Sequence, residues 1–188
     1  TANGYIGVAG GKTVFTLTLD AQTGAYTYTQ KEALDHPGAG KEGTQDVIWL
    51  KFEVEITDKD GDKDTGFVQI DVRDGVPSAC DDVNSTGKDG TADGNVITGR
   101  NGGPGSADTL SADDPTKLTK ISFGTQNVDV PANGQNVTIN GAHGTLTINA
   151  SGEYTYVQTN NGSGKKIDVF NYTITDADKD SSVAKLTI

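Results

Sequence analysis

Apolar and polar residues alternate along much of this chain, and their period of two is that of half-buried β-strands. The runs at residues 15–19 and 26–28 flank a turn and predict a hairpin. Two longer runs, at residues 48–57 and 67–72, predict a second strand pair around an acidic loop. No window of about 11 residues shows the apolar spacing of a helix. The pattern therefore predicts an all-β protein.

The second half of the chain carries the same alternation in shorter pieces. Asn133-Gly134 and Asn140-Gly141 are strong turn signals between these pieces. The strands that the pattern predicts lie at residues 95–98, 118–123, 126–130, 135–140, 144–149, 153–158, 168–175 and 182–188.

Breaker residues divide the chain into units. They fill a predicted loop at residues 34–43, and Pro77 is expected to stop strand pairing because it cannot donate to a ladder. We therefore predict a shorter β unit at residues 1–76, a linker at residues 77–82 and a complete β unit at residues 83–188.

The two predicted units repeat one another. Residues 16–28 match residues 145–156, and residues 52–62 match residues 170–180. The strands predicted within residues 95–140 have no counterpart in the first unit. The opening half of the first unit is therefore expected to be truncated or to lie elsewhere in the parent chain.

Carboxylates recur at alternate positions in both acidic loops, as Asp58, Asp60, Asp62 and Asp64 in the first and Asp176, Asp178 and Asp180 in the second. Crowding like charges onto a short loop costs free energy unless a cation neutralises them. Oxygen ligands without nearby Cys or His indicate calcium rather than zinc. The first loop is not an EF-hand, because strands flank it and Gln69 stands where that motif has a bidentate glutamate. A solvated hairpin turn is the alternative, but recurrence in both units favours calcium.

Further aspartates lie near the predicted linker, at Asp74, Asp81 and Asp82. We predict that these carboxylates hold a junctional calcium ion that stiffens the hinge, with ordinary linker polarity as the alternative. The weaker ligand candidates are Asp93, Asp108, Asp113 and Asp114.

Composition narrows the possible partners. The net charge of −11 makes nucleic acid and anionic membranes poor partners. There are 21 Asp and only 5 Glu, a bias toward the shorter side chain that suits turns and cation cages.

Cys80 is the single cysteine, so no internal disulfide can form. No apolar run is long enough to span a bilayer. The chain starts without Met, so we expect it to be a segment of a longer protein, and the lack of a signal-peptide pattern at Thr1 says nothing about secretion of the parent.

Several segments carry a family resemblance, namely residues 14–20, 23–28, 34–37, 76–79, 94–99 and 107–113. They resemble the repeats of giant RTX adhesins, Gram-negative cell-surface proteins exported by type I secretion, over nearly the whole chain. The resemblance implies tandem Ig-like or cadherin-like β-sandwich modules with calcium at loops and linkers. Two residues depart from it: Lys179 replaces the glycine found at Gly61, and Cys80 is unusual in such repeats.

The function that this resemblance implies is mechanical. A calcium-stabilised extender module would space and orient the adhesive domains of an extracellular surface protein. Its partners would be neighbouring repeats of the same chain, with host glycans or peptides bound through other domains, and the module itself would be a monomer. The alternative is a ligand-binding module in which calcium chelates a glycan or peptide carboxylate. An enzyme is not expected, because no nucleophile–base pair can be named.

Overall fold

A computed structural model of the protein describes residues 4–34, 36, 47–87, 90–159 and 164–188. Within these ranges the chain forms fourteen β-strands and no helix, which confirms the all-β prediction. The described residues divide into two compact units, one before and one after the Gly75–Val76 bond. Most of the loop predicted at residues 34–43 lies outside the described residues.

The first unit contains two small antiparallel sheets. Its strands are β1 (Gly4–Ala9), β2 (Lys12–Leu19), β3 (Tyr26–Gln30), β4 (Val47–Thr57) and β5 (Lys63–Arg73). One sheet has the order β1-β2-β3 and the other is the hairpin β4-β5. The Phe52 ring joins the two sheets, with its centroid 5.1 Å from that of Tyr5 and 5.6 Å from that of Phe15.

The second unit is a sandwich of two larger sheets. Its strands are β6 (Asp82–Val83), β7 (Thr91–Asn95), β8 (Lys117–Phe123), β9 (Gln126–Asp129), β10 (Val137–Asn140), β11 (Gly144–Ile148), β12 (Glu153–Gln158), β13 (Val169–Thr175) and β14 (Ser181–Thr187). One sheet has the order β10-β11-β12-β7 and the other has the order β6-β14-β13-β8-β9. All pairs are antiparallel except β14 with β6. This arrangement is an Ig-like β-sandwich.

The core of the second unit is formed by the inward-facing residues, which alternate with outward-facing residues along each strand. The largest of these side chains that are fully buried are Tyr172, Phe170, Leu118, Ile121, Ile139, Leu146, Ile148, Ile174 and Leu186. Because strand side chains alternate between faces, the same strands leave polar residues in water on the other face. Each fully buried Leu, Ile or Phe stabilises the sandwich by about 1.5–3 kcal/mol.

The structure corrects two predictions about the strands. Residues 95–98 are not a strand: β7 ends at Asn95, whose side chain accepts hydrogen bonds from the amides of Ile97 and Thr98. This Asx-type turn competes with the ladder and ends it. β1, which the sequence pattern missed, supplies the first unit with a counterpart of β10, so one strand of residues 95–140 does have an equivalent there.

The internal repeat holds at the level of strand register. The equivalent cross-strand pairs are Leu17–Tyr28 with Leu146–Tyr156, Tyr5–Leu17 with Ile139–Leu146, and Phe52–Val68 with Phe170–Leu186. Register decides which face of a strand is buried. β1–β5 therefore correspond to β10–β14 in order and in register at these pairs, although the β1–β2 ladder has a bulge at Gly7–Val8 and extends further than the β10–β11 ladder.

The segment predicted as a linker is hydrogen-bonded to the second unit. Ser78 exchanges backbone hydrogen bonds of 2.9 Å with Thr109, and the amide of Ala79 donates to the hydroxyl of Ser182. Pro77 itself is buried and does not prevent this pairing one residue later. The segment leads directly into β6.

Candidate metal centre

The acidic loop between β13 and β14 is closed by its own hydrogen bonds. The amide of Asp176 donates to the carbonyl oxygen of Asp180 over 3.0 Å, and the amide of Asp180 donates to Asp176 Oδ1 over 2.8 Å. Lys179 has a φ of 89°, in the left-handed region. This conformation is the one that a glycine would adopt without strain.

Asp113 joins this loop from the segment between β7 and β8. Its carbonyl accepts a 3.1 Å hydrogen bond from the amide of Ala177, and its carboxylate accepts from the hydroxyl of Ser111. Asp113, Asp176 and Asp178 are all buried, and one oxygen from each lies within 4.8 Å of the others. Oxygens bound to one calcium ion at about 2.4 Å can be no farther apart than about 4.8 Å.

The electrostatics of this cluster favour a cation. Asp176 Oδ2 and both carboxylate oxygens of Asp178 are buried and accept no hydrogen bond from the described residues. Burial and the neighbouring Asp178 carboxyl raise the pKa of Asp176 to about 6. Asp180, fully buried at the end of the same loop, adds a further carboxylate. Buried carboxylates are normally paired with cations or hydrogen-bonded, so these oxygens fit a hard, oxygen-binding ion such as calcium.

The equivalent loop of the first unit has the same backbone but a different environment. The amide of Asp58 donates to the carbonyl of Asp62, and the amide of Asp62 donates to Asp58 Oδ1 over 2.9 Å. Gly61, with a φ of 101°, stands where the second unit has Lys179. Asp58, Asp60 and Asp62 again bring three carboxylates within 4.8 Å, but all three are exposed.

Local hydrogen bonds partly stabilise the exposed loop. The Asp60 carboxyl, followed by the amides of Asp62 and Gly61, lowers the pKa of Asp58. Asp64 lies on β5, opposite Ile56, and its carboxylate accepts from the amide of Thr65. The structure therefore brings together three of the four aspartates predicted to bind calcium in this loop.

Asp74, predicted at the junction, is buried beside a histidine. Its Oδ1 lies 3.4 Å from His36 Nδ1, and His36 Nε2 lies 3.3 Å from the carbonyl oxygen of Val72. Because a carbonyl only accepts, a hydrogen bond at this contact requires the tautomer that carries its proton on Nε2. No motif in the sequence marks His36 as a functional residue.

Asp81 and Asp82 have different environments although they are adjacent. Asp81 is exposed and accepts from the amide of Lys185. Asp82 is fully buried and lies 3.1 Å from the Tyr172 hydroxyl, which also lies 3.0 Å from Asp108 Oδ1. Burial, followed by the charge of Asp108, raises the pKa of Asp82 to about 7, and burial raises the pKa of Asp108 to about 6. The junctional calcium ion of Asp74, Asp81 and Asp82 stays a prediction.

The remaining candidates for metal ligands lie in different environments. Asp93 is exposed and forms a 2.8 Å ion pair with Arg100, an arrangement that needs no metal. Asp114 is exposed and precedes a cis proline. Asp113 was only a weak candidate because it is separated from its partners by more than sixty positions in the sequence. The Ser-x-Asp turn at residues 111–113 is the only local signal that marked it.

The comparisons with known proteins agree with this architecture. Residues 77–188 match the family described as "Bacterial Ig domain". The chain belongs to that family. Residues 1–71 match a second family, described as "Domain of unknown function (DUF5801)". The search of curated proteins gives no match.

Bacterial Ig domains are structural and surface modules that are typically not enzymes and usually occur in surface or extracellular proteins. In the part of this bacterial Ig protein that the structure describes, no helix is long and apolar enough to cross a membrane. The candidate centre of Asp113, Asp176 and Asp178 lies within the matched domain.

Proposed function

We propose that this chain is a calcium-stabilised extender module of a bacterial surface adhesin of the RTX type, exported by type I secretion. It spaces and orients adhesive domains at the cell surface, and it performs no catalysis. Its partners are neighbouring repeats of the same protein, and it acts as a monomer. Glycans or peptides of a host or another surface are bound by other domains of the parent.

The observation that carries this proposal is the buried centre of the second unit. Three carboxylates converge there, and three of their oxygens accept no hydrogen bond among the described residues. Without a cation, these ionised groups repel one another in a medium of low dielectric constant. Calcium bound at this point links the β13–β14 loop to the segment that precedes β8, and so stiffens one end of the sandwich.

Extracellular conditions suit such a site. Extracellular calcium-binding modules have dissociation constants of about 10⁻⁴–10⁻³ M. At a free calcium concentration of about 100 times Kd, binding to the folded state alone adds about 2.7 kcal/mol of stability. The module would remain less stable before export, where calcium is scarce, and become stiffer outside the cell.

Thermal unfolding in calcium and in EGTA tests the proposal. We expect the midpoint in about 10 mM calcium to exceed that in EGTA by roughly 10 °C, since about 1 kcal/mol corresponds to about 4 °C for a domain of this size. Magnesium at the same concentration is the control, because its smaller octahedral shell fits a carboxylate cluster poorly. Equal midpoints in calcium and EGTA would rule the proposal out.

The exposed loop of the first unit favours a second candidate function. A calcium ion at Asp58, Asp60 and Asp62 would be left open to solvent, so that water or a ligand carboxylate could complete its coordination. The loop borders a shallow pocket of about 310 Å³ that Ile56, Asp62 and Lys63 help to line. Calcium-dependent binding on a glycan or peptide array, abolished by Asp60→Asn, would favour this ligand-binding function over the extender.

A further inference from the structure

The described residues of the first unit form an incomplete sandwich with two open sheet edges. In the second unit, β12 pairs with β7 and β13 pairs with β8. The equivalent strands of the first unit are β3 and β4, and each has only one partner among the described residues. An unpaired edge leaves a row of backbone donors and acceptors available to another strand.

Two residues that are buried in the second unit are exposed at the equivalent positions of the first unit. Ile56 is 70% exposed whereas Ile174 is fully buried. Tyr26 is 51% exposed whereas Tyr154 is 3% exposed. Because the strand registers are the same in the two units, the difference comes from missing neighbours and not from a different local fold.

The first unit nevertheless holds a core of its own. Leu17 and Phe52 are buried at 1% and 6% exposure, and the rings of Tyr5 and Phe15 pack against that of Phe52. The exposed residues lie toward the edges that β7 and β8 cover in the second unit. The surface that Tyr26 and Ile56 form beside this core is therefore a preformed half of a sandwich interior.

We propose that the β3 and β4 edges of the first unit bind an opening segment of an Ig-like unit, a polypeptide built like this chain's own β6–β9. One incoming strand pairs with β3 as β7 pairs with β12, and the other pairs with β4 as β8 pairs with β13. Main-chain hydrogen bonds bind the strands, and alternating apolar side chains cover Tyr26 and Ile56.

The repeat fixes the register of this complement. Ile174 pairs with Leu118 and Asn171 pairs with Ser122. The positions of β4 equivalent to Asn171 and Ile174 are Glu53 and Ile56, so the incoming strand lies along residues 53–57. It runs antiparallel to β4 and places a large aliphatic residue opposite Ile56.

A fusion tests the proposal on the full chain. A copy of residues 77–134 placed directly before Thr1 reproduces the spacing between β9 and β10, because Tyr5 is equivalent to Ile139. We expect amide hydrogen exchange at residues 53–57 to slow at least tenfold relative to the unextended chain. The matched control is the same fusion with Asp at the copied positions of Leu118 and Ile121, which should give no protection.

Substitution of Ile56 supplies an independent test. Ile56→Thr should leave the thermal midpoint of the unextended chain nearly unchanged, because the side chain is in water and the change adds no charge opposite Asp64, and should greatly reduce the protection gained in the fusion. Unchanged exchange at residues 53–57 in the fusion, with the copied segment itself unprotected, would overturn the proposal. So would a dimer of the unextended chain, found by light scattering, whose residues 53–57 are already protected, since a second copy would then be the occupant.

Discussion

Asp178→Asn should have opposite effects with and without calcium. Both Asp178 oxygens are buried and accept no hydrogen bond among the described residues, so the ionised side chain is costly in the metal-free protein. The amide of Asn removes the charge and keeps the shape. We therefore expect the variant to be more stable than the wild type in EGTA, and less stable in calcium because a ligand has been lost.

The magnitude follows from the binding linkage. If calcium adds about 2.7 kcal/mol at 100 times Kd, a variant whose Kd is raised a hundredfold gains only about 0.4 kcal/mol at the same concentration. In EGTA, loss of the repulsion should add about 1 kcal/mol, since one unit of pKa shift on a neighbouring carboxyl corresponds to about 1.4 kcal/mol. The variant's response to calcium should thus shrink by about 2 kcal/mol.

Chemical denaturation of both proteins, in calcium and in EGTA, measures this difference directly. Asp129→Asn is the matched control, because Asp129 is an exposed carboxylate on β9 of the same unit and should change stability by no more than about 0.5 kcal/mol in either buffer. A variant that is destabilised equally in both buffers would identify Asp178 as a purely structural residue and refute the reasoning.

Three further predictions concern the second unit. Lys179→Gly should stabilise the second unit by about 1 kcal/mol, because relief of about 1–3 kcal/mol of backbone strain outweighs the entropy that glycine adds to the unfolded chain. The urea midpoint measures this change in stability. In EGTA, thermal midpoints should fall as the pH rises from about 4 to 7. Burial raises the pKa of Asp176 to about 6 and that of Asp82 to about 7, so the folded state binds protons more tightly than the unfolded state. Calcium should reverse this trend. Gly141→Ala should cost about 2–3 kcal/mol, read from the urea midpoint, because its new Cβ would collide with the buried carboxylate of Asp168.

Much of the fold was predictable because β alternation is a local signal. The runs ending at Leu19, Thr57 and Thr175 are strands, as their alternation predicts, although Ile56 on the apolar face of the second run is 70% exposed. β1 was missed because Gly4 and Gly7 interrupt its alternation, although both glycines are needed where the chain approaches Leu17 and Phe15 closely. The strand predicted at residues 95–98 failed for the opposite reason, because apolar Val96 and Ile97 concealed the turn made by Asn95.

The candidate site was only half predictable. The alternate aspartates of the β13–β14 loop are visible in the sequence, and so is their repetition after β4. The burial that distinguishes Asp176 and Asp178 from Asp58 and Asp60 is not visible, and neither is the hydrogen bond from the amide of Ala177 that brings Asp113 to the loop. Tertiary contacts of this kind leave no local pattern.

Anomalous scattering from crystals grown in calcium tests the central claim most directly. We expect a strong peak bound by Asp113, Asp176 and Asp178, with oxygen distances of about 2.3–2.6 Å. Crystals grown in EGTA should lack that peak and should show the β13–β14 loop less well ordered. A loop that is equally ordered without metal, with its carboxylates neutralised by lysine or hydrated by water, would contradict the account.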